Sequence, residues 1–187
     1  MINKKIKNNK ISGFTLIEAM FAIFILTFSV SVLMGVVASN LFAAKYAGDE
    51  ITANYLLQEV IDYVRNDRDT VVLLEGQDWD IFYKKYEEAK CLEDSGWCTI
   101  DLSNPTDPLK NCPDGVCPPL SYDKDLTNRS FYNYNVNDGI ESNFTRKLKI
   151  EKNLLNKDEI EVTVMVSWYN GDTNRSKILK TSLLKWQ

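Results

Sequence analysis

The pattern of apolar and polar residues divides the chain into an apolar first part and an alternating last part. Residues 19–44 form 26 consecutive positions without a formal charge, and about 20 apolar residues in a helix suffice to cross a bilayer. This stretch is longer than the apolar region of a signal peptide, and the small-residue triplet at 36–38 is a weak cleavage site. We therefore predict a membrane-spanning helix, and the lysines before it favour a cytoplasmic N-terminus.

Helical spacing continues beyond the apolar stretch. Between residues 49 and 66, apolar side chains recur on one helical face: Ile51, Tyr55, Leu56, Val60, Tyr63 and Val64. One helix over residues 14–66 would be roughly 80 Å long, and its second half should pack against the domain that follows. Gly35, with Ser29 and Ser31, is its local weakness, where either a kink or close helix packing is expected.

The rest of the chain predicts short elements followed by strands. Residues 70–74 have strand-like composition, residues 79–90 fit a short helix, and the five prolines of residues 91–125 indicate a loop. Four further strands are predicted, at 131–136, 144–151, 159–169 and 175–186.

Alternation is strongest near the C-terminus. Apolar side chains occupy every second position from Ile160 to Trp168, so one face of this strand should be buried. The Asn170-Gly171-Asp172 sequence predicts a hairpin turn into the last strand. These elements predict an α+β fold: a long N-terminal helix, transmembrane and then amphipathic, packed on a C-terminal antiparallel sheet with a disulfide-containing loop insertion.

Charge is distributed unevenly along the 187 residues. The first ten residues carry four lysines and no acid, and without them 18 basic residues face 26 acidic ones. The acidity is concentrated in residues 49–101. Nucleic-acid binding requires clustered Lys and Arg, so this composition argues against nucleic acid as a general partner.

Histidine is absent from the sequence. This absence excludes a Ser-His-Asp triad, a cysteine activated by histidine and a zinc site with histidine ligands. No specific set of nucleophile, base and metal ligands can be assembled from the remaining residues. We therefore expect neither an enzyme nor a cofactor.

The four cysteines lie within a short region that is rich in turn residues. Cys112 and Cys117 enclose Pro-Asp-Gly-Val, and Cys91 and Cys98 bracket Asp-Ser-Gly in the same way. We predict two local disulfides, although the crossed pairing of Cys91 with Cys117 and Cys98 with Cys112 is also possible. A zinc site formed by these cysteines is the less favoured hypothesis, because neither pair has the C-x₂-C spacing of zinc ribbons.

Glu18 does not fit a plain membrane anchor. An ionised carboxylate in a spanning helix costs roughly 2.5 kcal/mol or more unless it has a partner or a function. The string Gly13-Phe14-Thr15-Leu16-Ile17-Glu18 resembles the cleavage and methylation signature of type IV prepilins and type II secretion pseudopilins. The resemblance implies that a prepilin peptidase cuts between Gly13 and Phe14, and that the new amine of Phe14 is N-methylated.

The same resemblance implies a role for Glu18 and an organisation of the chain. Glu18 would pair with the Phe14 amine of a neighbouring subunit and set the stagger of the filament. Residues 1–13 would be the leader, 14–44 the transmembrane and filament-core helix, and 45–187 the extracytoplasmic globular domain. The implied partners are other pilins or pseudopilins, the prepilin peptidase and methyltransferase, an inner-membrane assembly platform and membrane lipid. The precursor would span the membrane once and later join a cell-surface filament.

The C-terminal hairpin sequence, residues 159–186, resembles that of PilV-type minor pilins and GspI-type pseudopilins. This implies a minor subunit with a role in initiation, at the tip or in modification of a type IV pilus or related filament. Two other functions are compatible with the sequence. One is a signal-anchored extracytoplasmic binding module that uses the loop from Cys91 to Cys117. The other is a DNA-capturing competence pilin that uses the bases near the last strands: Arg146, Lys147, Lys149, Lys152, Arg175, Lys177, Lys180 and Lys185.

Overall fold

The computed structural model describes residues 13–74, 78–92, 96–123, 132–134 and 139–185. Apart from Gly13, the predicted leader lies outside these residues, as does the predicted strand at 131–136 except for residues 132–134. The chain separates into two compact units, Met1–Lys45 and Tyr46–Gln187.

Helix α1 extends over Leu16–Asp69 and is not interrupted at Gly35. The hydroxyl groups of Ser29 and Ser31 donate to the carbonyl oxygens of Ile25 and Thr27, at 2.7 and 2.8 Å. These bonds give the hydroxyls partners within the helix itself. The helix is long and apolar enough to cross a membrane.

The strand predicted for residues 70–74 is wrong. These residues form a π-helix, Thr70–Leu74, directly after α1, and the Thr70 hydroxyl donates to the Asn66 carbonyl at 2.7 Å. Val71 and Val72 pack against the core. An existing helix extends without a new nucleation step, and this advantage outweighs the strand preference of the two valines.

Helix α2, Trp79–Glu88, agrees with the predicted short helix. Its buried face consists of Trp79, Phe82 and Tyr86. Lys90 has a φ of 57°, and its N–H donates to the Glu87 carbonyl while the next N–H donates to the Tyr86 carbonyl, each at 2.9 Å. These two bonds form a Schellman motif, which ends the helix directly before Cys91.

The predicted loop at residues 91–125 contains three short strands that the sequence did not indicate. They are β1 (Cys98–Ile100), β2 (Leu109–Asn111) and β3 (Pro119–Asp123). Pro119 occupies the first position of its strand, where proline is tolerated. The prolines therefore limit the length of these strands but do not prevent their formation.

The remaining strands are β4 (Tyr132–Asn133), β5 (Gly139–Lys152), β6 (Glu159–Asn170) and β7 (Thr173–Leu184). Within the described residues they complete a seven-stranded sheet in which every strand pairing is antiparallel. β6 lies between β5 and β7, and the other edge of β5 pairs with β3 and, at Leu148, with β1. β2 and β4 extend β1 and β3 outward.

One face of the sheet packs against the second half of α1 to form the core. The predicted alternation in β6 is confirmed, because Ile160, Val162, Val164 and Val166 are fully buried and Trp168 is nearly so. Gly171 adopts a φ of 62° in the turn to β7. The core side chains from α1 are Ala53, Leu56, Leu57, Val60, Ile61 and Val64. The predicted α+β fold, with its disulfide-containing loop, is confirmed.

Candidate functional site

The residues of the cleavage signature lie at the start of α1. Gly13, Phe14 and Thr15 are exposed and non-helical, so the bond between Gly13 and Phe14 lies outside the helix. The Thr15 carbonyl accepts the first intrahelical bond, from the Ala19 N–H at 3.2 Å. The Glu18 N–H donates to the same carbonyl at 3.1 Å and to the Thr15 hydroxyl at 3.4 Å. Thr15 is therefore the N-cap of α1.

Glu18 is exposed in the first turn of α1. It forms no salt bridge with any residue in the described parts of the chain. A carboxylate near a helix N-terminus gains about 0.3 to 1 kcal/mol from the helix dipole. This gain is smaller than the roughly 2.5 kcal/mol that an ionised group costs in a spanning helix. A cationic partner from outside these residues would offset the part of this cost that the helix dipole does not cover.

From Leu16 to Phe42, α1 carries large apolar side chains on all sides, and Glu18 is the one charged residue of this segment. Its large hydrophobic side chains are 45% to 81% exposed in the isolated chain. A helix that is hydrophobic all round requires either lipid or other helices around it. The exposed large hydrophobic side chains of this segment are Phe14, directly before α1, and Leu16, Ile17, Met20, Phe21, Ile23, Phe24, Ile25, Leu26, Phe28, Val30, Val32, Leu33, Met34, Val36, Val37, Leu41 and Phe42.

The structure contains the two local disulfides, Cys91–Cys98 and Cys112–Cys117, with Cα separations of 4.9 and 4.6 Å. The Cys112 N–H donates to the carbonyl of Trp97, which precedes Cys98, at 3.0 Å. The two small loops are thereby joined, and all four cysteines are buried. Cysteines in disulfides have no thiolate to offer to zinc. In the described parts of the chain, no cluster of three or more Cys, Asp or Glu side chains could hold a metal ion.

The basic residues near the last strands do not form an open cationic face. Arg146 is buried, and the bases with an acidic partner are Arg146, Lys149, Lys177, Lys180 and Lys185. Three others lie over aromatic rings: Lys147 over Trp97, Lys152 over Tyr83 and Arg175 over Tyr46. Each of these eight bases thus has an acidic or aromatic neighbour within the domain.

Arg146 belongs to the core, although the sequence was interpreted as placing it among the bases of the last strands. Its guanidinium forms an ion pair with Glu59 of α1 and donates to the Ile100 carbonyl at 2.8 Å. The alternation of the strand could have indicated this burial, because Arg146 lies on the same strand face as the apolar residues Phe144 and Leu148. Residues on one strand face alternate with those on the other, so an arginine at this position faces inward.

A partly buried set of polar side chains joins the two helices. The Asp67 carboxylate of α1 accepts from the Tyr86 hydroxyl at 2.9 Å and from the Lys85 ammonium at 2.5 Å. Burial and then the Asp67 charge raise the pKa of Tyr86 well above its usual value. Burial lowers the pKa of Lys85, but the bond and the attraction to Asp67 outweigh burial, so that pKa is also raised. The network holds α2 against α1.

Comparison with known proteins identifies one region. Residues 8–38 match the family model of the prokaryotic N-terminal methylation motif. No curated protein matches the chain, and no solved structure does. The match supports a type IV pilin-like prepilin signature, which in general belongs to a membrane-anchored precursor that a prepilin peptidase processes and that assembles with other pilins. The chain thus carries the N-terminal signature of a pilin-like structural subunit.

Proposed function

We propose that this chain is a minor pilin or pseudopilin, a structural subunit of a type IV pilus or related filament with a role in initiation, at the tip or in modification. The observation that carries the proposal is the position of the Gly13 to Glu18 signature. It begins a helix that carries large apolar side chains on all sides up to Phe42, and Glu18, the one charged residue of this segment, lies in the first turn without a salt bridge among the described residues.

Processing and assembly follow from this position. The leader, residues 1–13, is removed at the bond between Gly13 and Phe14, and the Phe14 amine is methylated. Residues 14–44 hold the precursor in the membrane and later line the filament core. Residues 45–187 form the extracytoplasmic domain, which takes no part in catalysis.

Glu18 sets the register of assembly. The attraction between its carboxylate and the cationic Phe14 amine of a neighbouring subunit is strongest where water is excluded. A misaligned subunit leaves both charges unpaired in an apolar surrounding, which costs several kcal/mol. Correct stagger is therefore favoured twice, by the pair it forms and by the penalty it avoids.

A minor rather than an abundant role is favoured by the disulfide-containing insertion. Two disulfides and the bond from Cys112 to Trp97 link Cys91, Cys98, Cys112 and Cys117 closely, which suits a specialised subunit more than an abundant one. The partners of the subunit are other pilins or pseudopilins, the peptidase and methyltransferase, and the assembly platform.

The proposal is tested by intact-mass and N-terminal peptide mass spectrometry on protein from its native membrane or from shed filaments. We expect a chain that begins at N-methylated Phe14. A chain that still begins at Met1, in cells that process other prepilins, would overturn the proposal. A signal-anchored binding module would then be the better description.

A further inference from the structure

We propose that Thr15 is a positioning residue for the cleavage step, because as the N-cap of α1 it keeps the peptide bond between Gly13 and Phe14 outside the helix. This inference rests on the proposed function, since it concerns how the prepilin peptidase meets its substrate. The structure carries it through the bonds at the Thr15 carbonyl and hydroxyl.

The chemistry of cleavage explains why the boundary of the helix matters. Hydrolysis adds water across the amide, so that the Gly13 carbonyl carbon takes the hydroxyl and the Phe14 nitrogen takes a proton and leaves as the amine. Inside a helix, peptide groups are bonded within the helix and surrounded by the side chains of adjacent turns. Proteolytic cleavage is concentrated in exposed, irregular chain, which is the state of Gly13 and Phe14 here.

Extension of an apolar helix towards the N-terminus of the chain lowers its free energy in the membrane. Each unsatisfied backbone N–H in hydrocarbon costs several kcal/mol, and another turn of helix would give partners to the N–H groups at the start of α1. A fixed helix start therefore needs a local acceptor. Thr15 supplies it twice, because its carbonyl and its hydroxyl accept from the Glu18 N–H at 3.1 and 3.4 Å.

The sequence reinforces this start. Thr15-Leu16-Ile17-Glu18 has the Thr-x-x-Glu spacing of a capping box, in which the acid also serves the backbone of the N-cap residue. The next upstream residue with a strong N-cap preference is Ser12. A helix that began there would include the bond that must be cut, so loss of the Thr15 hydroxyl favours a start that hides this bond.

The test measures the rate at which the full-length precursor loses its leader in membranes that contain an active prepilin peptidase. Pulse labelling and intact mass follow the conversion. Thr15→Val keeps the branched shape and removes the acceptor, and we expect conversion about fivefold slower, the equivalent of the ~1 kcal/mol typical of an N-cap. Thr15→Ser and Thr15→Asn retain an acceptor and should convert within about twofold of the natural chain.

A second substitution separates capping from direct recognition of the threonine. In the Thr15→Val chain, Ser12→Ala removes the alternative start and should recover part of the lost rate. Resistance to alkaline extraction checks that each variant is inserted equally into the membrane. Equal rates for Thr15→Val and the natural chain would overturn the inference, as would Ser and Asn variants as slow as the Val variant.

Failure of the proposed function has a different outcome. If the natural chain is not cut in membranes that cut another prepilin, the pilin proposal itself fails. If the natural chain is cut and Thr15→Val is cut equally fast, only the role of Thr15 fails.

Discussion

Arg146 of the central strand β5 forms an ion pair with Glu59 of helix α1 inside the domain. The arginine is only 1% exposed, whereas the glutamate is 40% exposed. A second guanidinium nitrogen donates to the Ile100 carbonyl of β1. One side chain thus joins the long helix, the middle of the sheet and a short strand of the disulfide-containing region.

Removal of either partner should destabilise the domain, for different reasons. Arg146→Ala removes a large buried side chain and the Ile100 contact, and we expect a loss of about 3 to 5 kcal/mol in the free energy of unfolding. Glu59→Ala should cost a similar amount, about 3 to 5 kcal/mol, because it leaves the buried guanidinium of Arg146 without its counter-ion. Urea unfolding of the full chain in detergent measures both. Asp62→Ala, an exposed acid one turn along α1, is the matched control and should change stability by less than about 0.5 kcal/mol.

Stability should fall at alkaline pH through the buried tyrosines. The pKa of Tyr86 is raised in the folded state by burial first and by Asp67 second. Above about pH 10 the unfolded chain releases this proton and the folded chain does not. The stabilisation is therefore complete below the unfolded pKa of Tyr86 and is lost as pH rises above it. The pKa of Tyr134 is raised by burial in the same direction.

The check is a series of urea unfolding curves of the full chain between pH 7 and 11.5. We expect a flat profile to about pH 9.5 and a decline beyond it. Tyr86→Phe should lower stability at pH 7, because the bond to Asp67 is lost, and should make the alkaline decline shallower. An equally steep decline in this variant would show that Tyr86 does not drive it.

The elements that were predicted correctly have strong periodicity of their own. Apolar residues form a nearly uninterrupted stretch in the first half of α1, recur with helical spacing in its second half and alternate strictly along β6, so the local sequence is sufficient to define both elements. The turn at Gly171 is equally local. The prepilin signature was readable for the same reason, since its residues are consecutive.

Elements that depend on distant contacts could not be predicted. β1 is three residues long and exists because it pairs with β2 and meets β5 at Leu148. The π-helix at Thr70–Leu74 depends on the helix before it. The partner of Arg146 lies 87 positions away in the chain, so no local pattern could identify Glu59.

Each disulfide should stabilise the domain modestly, because the loop that it closes is short. Loops of this size correspond to about 2 kcal/mol each in the chain-entropy description. The double substitution Cys112→Ser with Cys117→Ser should lower the free energy of unfolding by about this amount. Urea unfolding of the oxidised full chain measures the loss.

Peptide mapping without reduction checks the pairing directly. We expect linked peptides that contain Cys91 with Cys98 and Cys112 with Cys117. Linked peptides with Cys91 and Cys117 would contradict the arrangement. Equal stability of the double variant and the natural chain would contradict the energetic argument but not the pairing.

The proposed role of Glu18 in assembly can be separated from its place in the first turn of α1. Glu18→Gln keeps the size of the side chain and fits the capping box, which accepts Gln as well as Glu, so cleavage at Gly13 should proceed at the natural rate. The amide carries no charge to pair with the Phe14 amine of a neighbour. Loss of one member of a buried pair costs about 3 to 5 kcal/mol, and we expect incorporation into filaments to fall more than tenfold.

The measurement is the ratio of filament-bound to membrane-bound protein. The control is Glu50→Gln of α1, an acid paired with Lys177, which should assemble normally. Normal assembly of Glu18→Gln would show that the charge does not set the register.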